Sequence, residues 1–142
     1  MNIIENYSPN FSLPKRLKKR IRFIIIHYTG MKKELDSIKR LQSPRSKVSS
    51  HYLIKKNGKI LTLVPDLYEA WHAGLSKWKN HEFLNKNSIG IEITNPGHQY
   101  GYKNFSRLQI FSLEKLLISL IKKFRIKKRY ILGHSDISPN RK

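Results

Sequence analysis

RFIIIHYTG, Arg22 to Gly30, runs four apolar residues directly into a histidine, a tyrosine and a Thr-Gly pair. With Ile21 in front, the run is β-branched and apolar at consecutive positions. That pattern lacks the one-sided alternation of a solvent-facing strand and predicts an interior strand over 21–26. A strand buried on both faces needs a layer on each side of its sheet. The expected fold is therefore α/β, a central mixed β-sheet flanked by helices, with His27 at the C-terminal end of an inner strand.

The neighbouring segments supply the other parts of such a sheet. Residues 51–55 and 59–64 alternate apolar and polar on either side of Asn57-Gly58, which predicts an antiparallel hairpin. SIGIEIT, residues 88–94, alternates isoleucines with Gly90 and Glu92 and reads as a strand closed by Asn95-Pro96-Gly97. A short last strand over 130–132 delivers Gly133 and His134. Two helices are expected. One, over 32–42, carries Leu35, Ile38 and Leu41 and stops at Ser43-Pro44. The other, over 107–123, has leucines at three- and four-residue spacing, and Ser106 with Gln109 forms a capping box at its start.

The 142 residues suit one domain. The absence of cysteine excludes disulfides, thiolate metal sites and a cysteine nucleophile, so any metal must use His, Asp or Glu. Lys and Arg number 29 against 9 Asp and Glu, a net charge of +20 that attracts polyanions over long range. Lysines spread along the whole chain fit a solvated surface and not a reading helix, so no specific nucleic-acid partner is expected. No run of eighteen apolar residues predicts a membrane span. The first twenty residues read as a basic lead-in without a signal-peptide core, which gives a cytoplasmic expectation.

His27, Glu92 and His134 all fall at or near strand ends. Two imidazoles and a carboxylate brought together there are what a zinc site with an open coordination position needs. Trp71 and Trp78 have the aromatic faces to stack on a sugar or peptide, or to pack in the core.

The motifs IIIHYTGM, VSSHYLI, AWHAG, SIGIEITNPGHQYGY and LGHSDISPNRK occur in the order found in zinc-dependent N-acetylmuramoyl-L-alanine amidases. The chain resembles this amidase-2 family, whose fold is shared with peptidoglycan recognition proteins. The resemblance implies a catalytic domain over 21–142 and a Zn2+ cofactor. It implies hydrolysis of the amide between N-acetylmuramic acid and the L-alanine of the stem peptide, in peptidoglycan or muropeptides. By motif, His27 and His134 match zinc ligands, Glu92 the residue that activates water, and Lys142 a lysine that stabilises the oxyanion. His72 matches a position lining the substrate cleft and His51 a supporting position; Trp71 and His98 are expected beside the substrate, and Asn95 either there or in the turn. The family's third ligand is an aspartate ten residues after the second histidine, two positions beyond Lys142. The catalytic domain is thus expected to be C-terminally incomplete, with weak zinc binding and little activity in this form; Asp136 is expected to bond within its loop. The alternatives are a non-catalytic peptidoglycan-binding module or an inactive amidase lacking that ligand.

Overall fold

The computed structural model describes residues 1–74, 76–101, 103–133 and 136. In chain order the strands are β1 (Ile3–Glu5), β2 (Phe11–Ser12), β3 (Phe23–Tyr28), β4 (Tyr52–Ile54) and β5 (Ile60–Thr62). They continue with β6 (Glu69–Ala70), β7 (Lys77–Trp78), β8 (His81–Glu82), β9 (Ser88–Ile93) and β10 (Ile131–Gly133). Helix α1 spans Glu34–Gln42 and α2 spans Arg107–Phe124.

Six strands form one mixed sheet in the order β1-β5-β4-β9-β3-β10, and β2-β6 and β7-β8 make two short ribbons. The strands β4, β9, β3 and β10 all run parallel, with β10 at the edge, and β5 turns back antiparallel to β4. The Ile-rich run takes a central place because both of its faces are covered: Phe23, Ile24 and Ile25 are fully buried. On one face Ile24, Ile89, Ile91 and Ile54 pack against Leu116, Leu120 and Phe124 of α2. Burying each of those three side chains stabilises the fold by about 1.5–3 kcal/mol. On the other face Phe23, Ile25 and Leu132 meet Ala73 and Leu84, while Leu53, Leu61 and Leu63 meet Leu41 of α1.

Local signals set the element ends. Ser106 Oγ accepts from Gln109 N–H at 3.1 Å and Gln109 Oε1 accepts from Ser106 N–H at 3.0 Å, the full capping box. Gly58 adopts φ +84 in the hairpin turn, where a side chain would be strained. Ser43 is extended at φ −85, ψ 127, as the residue before a proline requires, and α1 ends there.

Three features depart from the sequence expectation. β3 continues two residues past Ile26, so His27 lies inside the strand and is paired on it. Leu35 of α1 faces solvent at 60 % exposure, because the buried side of that helix runs through Ser37 and Leu41. The basic lead-in is built into the fold. β1 pairs with β5 at the sheet edge, Ser8 Oγ donates to Leu41 O at 2.6 Å, and Asn10 is buried. Arg16 donates to the carbonyls of Asn85, Ser88 and Asp66. Burial pulls its pKa down to about 10, which leaves it protonated at neutral pH. No described helix is long and apolar enough to cross a membrane.

Candidate active site

β3 and β9 lie side by side and parallel, with His27 level with Glu92. Residues level with each other on parallel strands project to the same face, and that face repeats every second residue. Gly90 and Ser88 therefore share the face of Glu92, as Ile25 and Phe23 share the face of His27. It is the face opposite α2. Gly133, bonded to His134, is level with Ile26, bonded to His27.

His27, Glu92, Trp71, His72 and His98 line one cleft of about 770 Å³, together with the cations Arg40 and Lys47. His27 is 4 % exposed, so its ring is held while its neighbours open to solvent. Its Nε2 lies 3.0 Å from His72 Nδ1, and His72 Nε2 lies 3.0 Å from Ser88 Oγ. The His72 ring rests on the backbone of Gly90, where a Cβ would come within 2.4 Å of it. Only glycine admits the ring at that point. Asn85 Oδ1 fixes the backbone beneath it, accepting from the N–H groups of His72 and Ala73 at 3.0 and 2.7 Å.

Trp71 is tied down at its edge, with Nε1–H donating to Ser12 Oγ at 2.8 Å and the backbone N–H to Ser49 Oγ at 2.9 Å. Asn95 is buried and its amide serves the loop. Nδ2 donates to Lys103 O at 2.6 Å, and Oδ1 accepts from Gly97 N–H at 2.9 Å. Its carbonyl accepts from Gly30 N–H at 2.9 Å, which stitches the loop after β9 to the loop after β3. Asn95 thus shapes the wall carrying Pro96, Gly97 and His98. Asp136 Oδ2 accepts from Gly133 N–H at 2.8 Å, within the loop as the sequence suggested. His81 packs edge-on against Phe23, with ring centroids 4.8 Å apart. His134 and Lys142 lie outside the described residues. Among the described residues no group of three or more His, Asp or Glu is arranged to hold a metal.

His51 has a different duty. Its Nδ1 accepts from Gly90 N–H at 3.0 Å and its Nε2–H donates to Tyr68 O at 2.7 Å, so both nitrogens bind backbone. Complete burial, reinforced by the Arg16 charge, pulls its pKa down to about 3. The unfolded chain therefore takes up a proton near pH 6.5 that the folded chain refuses until about pH 3. Stability should fall as pH drops through that window, by about 1.4 kcal/mol per pH unit from this group. Urea unfolding at a series of pH values checks it. A His51→Gln variant whose slope at pH 5 matched that of the unaltered chain would contradict the assignment.

A family model described as N-acetylmuramoyl-L-alanine amidase, Amidase_2, matches residues 17–142. The chain belongs to this family. It is 38 % identical over 135 residues to the N-acetylmuramoyl-L-alanine amidase AmiD of Escherichia coli (strain K12), covering 87 % of this chain and 48 % of AmiD. It is 41 % identical over 97 residues to the 1,6-anhydro-N-acetylmuramyl-L-alanine amidase AmpD of Haemophilus influenzae, covering 68 % of this chain and 50 % of AmpD. The chain spans about half the length of the curated relatives it matches. Among solved structures, E. coli AmiD in complex with anhydro-N-acetylmuramic acid-L-Ala-D-γ-Glu-L-Lys superposes with a TM-score of 0.76 at 38 % identity. That match covers 87 % of this chain and 51 % of AmiD. AmpDh3 from Pseudomonas aeruginosa gives 0.80 at 31 % identity, over 94 % of this chain and 58 % of its own. The expected fold, a mixed sheet with flanking helices of the amidase-2 kind, is the one observed.

Sequence reasoning placed His27, Glu92, Trp71, His72 and His98 in one site, and the cleft joins all five. It missed Ser88, Asn85 and Gly90. The small residue at every second position of SIGIEIT, facing the cleft side, was the available signal for two of them.

Proposed function

We propose that this chain is the catalytic part of a zinc-dependent amidase that cleaves the bond between N-acetylmuramic acid and L-alanine in muropeptides. The observation that carries the reading is the level pairing of His27 and Glu92 on adjacent parallel strands, opening into one cleft. An imidazole held inside the sheet beside a carboxylate is a donor set that suits zinc, which takes nitrogen and oxygen ligands. His27 and His134 would hold the ion. Zinc bound there would polarise the scissile carbonyl and bring the pKa of a water to about 7.

The remaining work belongs to the chain's own groups. Glu92 accepts the proton of the attacking water and returns it to the departing alanine nitrogen as the carbon–nitrogen bond breaks. Lys142, by its motif position, offers its ammonium to the developing oxyanion. Trp71 gives the cleft an immobilised aromatic wall suited to a sugar or peptide face. Arg40 and Lys47 favour a substrate carrying carboxylates, as stem peptides do.

The test is incubation with anhydro-N-acetylmuramic acid-L-Ala-D-γ-Glu-L-Lys and zinc, read by mass spectrometry. It is run on the chain as given and on a form with an aspartate as the second residue after Lys142. The products expected are anhydro-N-acetylmuramic acid and the free tripeptide, with the lengthened form faster. Binding without cleavage in both forms would replace the hydrolase reading with a recognition module.

A further inference from the structure

The carbonyl of Leu84 starts a chain of hydrogen bonds whose directions are forced. A carbonyl only accepts, and Ser88 Oγ lies 2.5 Å from it, so the single hydroxyl hydrogen of Ser88 points at Leu84. Ser88 must then meet His72 Nε2, at 3.0 Å, as the acceptor, and the hydrogen between them sits on Nε2. A neutral imidazole carries one N–H, which leaves a lone pair on His72 Nδ1. That lone pair faces His27 Nε2 at 3.0 Å, so His27 Nε2 carries the hydrogen and donates.

We propose that His72 is a positioning residue: with Ser88 and the Leu84 carbonyl it holds His27 as the tautomer whose lone pair lies on Nδ1. The purpose of this device rests on the zinc reading above, because a ligating imidazole must offer a lone pair from a fixed ring. Its geometry does not. The His72 ring cannot slide away, since it is seated on the bare backbone of Gly90 and the backbone N–H of His72 is held by Asn85 Oδ1. Nor can it turn over freely, because a half-turn about Cβ–Cγ would put ring C–H groups where its nitrogens now meet His27 and Ser88. His72 therefore acts on the metal position through His27, and its place in the AWHAG motif follows from that contact.

The experiment records long-range proton–nitrogen correlations of the histidine rings in the metal-free, nitrogen-15-labelled chain at neutral pH. His27 and His72 should each show one pure tautomer, with hydrogen on Nε2. His72→Phe keeps a ring over Gly90 but removes both nitrogens, and His27 should then become averaged. Ser88→Ala removes the acceptor at the far end, and the averaging should spread through both rings even where His72→Phe disturbs folding. In calorimetry both variants should bind zinc 10- to 100-fold more weakly. Hydrogen on His27 Nδ1, an averaged His27 in the unaltered chain, or a pure His27 tautomer in both variants would each overturn the proposal. Failure of the unaltered chain to bind zinc would strike the metal reading alone, since the tautomers are read without metal.

Discussion

Glu92→Gln is expected to slow hydrolysis by about 10²- to 10⁴-fold, the usual contribution of a positioned general base. The substitution keeps the shape of the side chain and removes its ability to take a proton. Glu92 stands on β9 between His27 of β3 and Leu53 of β4, its register partners on the two sides. The backbone pairings on both flanks fix where the side chain emerges, so an isosteric change should leave the fold and the zinc content unaltered. Elemental analysis alongside the rate measurement separates the two roles open to a carboxylate here. Zinc retained with the rate lost supports a base, and zinc lost with the rate would make Glu92 a ligand.

Gly90→Ala carries the second large effect. The new methyl would meet Cγ, Cδ2 and Nδ1 of His72 at 2.4, 2.6 and 2.7 Å, closer than real side chains approach. The strand cannot yield easily. Gly90 is paired with Ile25, and it exchanges two further bonds with His51, one through the backbone and one through the imidazole. The ring of His72 must move instead, at a cost of roughly 1–3 kcal/mol from overpacking. That displacement also breaks its contacts with His27 and Ser88. Removing the ring should relieve the clash, so Gly90→Ala combined with His72→Ala should cost less than the sum of the two single changes. Urea denaturation of all four chains gives the answer. Strict additivity would show that the ring and the glycine do not depend on each other.

Much of this architecture is legible from local sequence. Continuous β-branched residues announce the inner strand, Asn57-Gly58 the hairpin, and Ser106 with Gln109 the start of α2, because each signal acts over a few residues. What escapes such reading is held by distant partners. β1 has exposed side chains at Ile3 and Ile4 and gains its place only by pairing with β5, which leaves no burial pattern to detect. Arg16 looks like one more cation in a basic run, yet its guanidinium is fixed by carbonyls near residues 66, 85 and 88. From the sequence His72 is expected in the substrate cleft and Asn95 beside the substrate or in the turn. The structure gives the Asn95 amide to the loop and sets His72 between His27 and Ser88. A sequence shows which residues are present at the cleft, but the direction of each hydrogen bond emerges only once distances are known.

The level pairing of β3 with β9 has one more implication. Alternation along SIGIEI puts Ile89, Ile91 and Ile93 in the core under α2 and leaves Ser88, Gly90 and Glu92 on the opposite side. A slip of β9 by one residue would turn its isoleucines into the cleft and drive the Glu92 carboxylate into the apolar layer. The misregistered chain would lose its core at the moment it lost the facing histidine and glutamate. Folding therefore checks the register: the burial that holds the sheet together excludes the one-residue slip that would take Glu92 away from the side of His27.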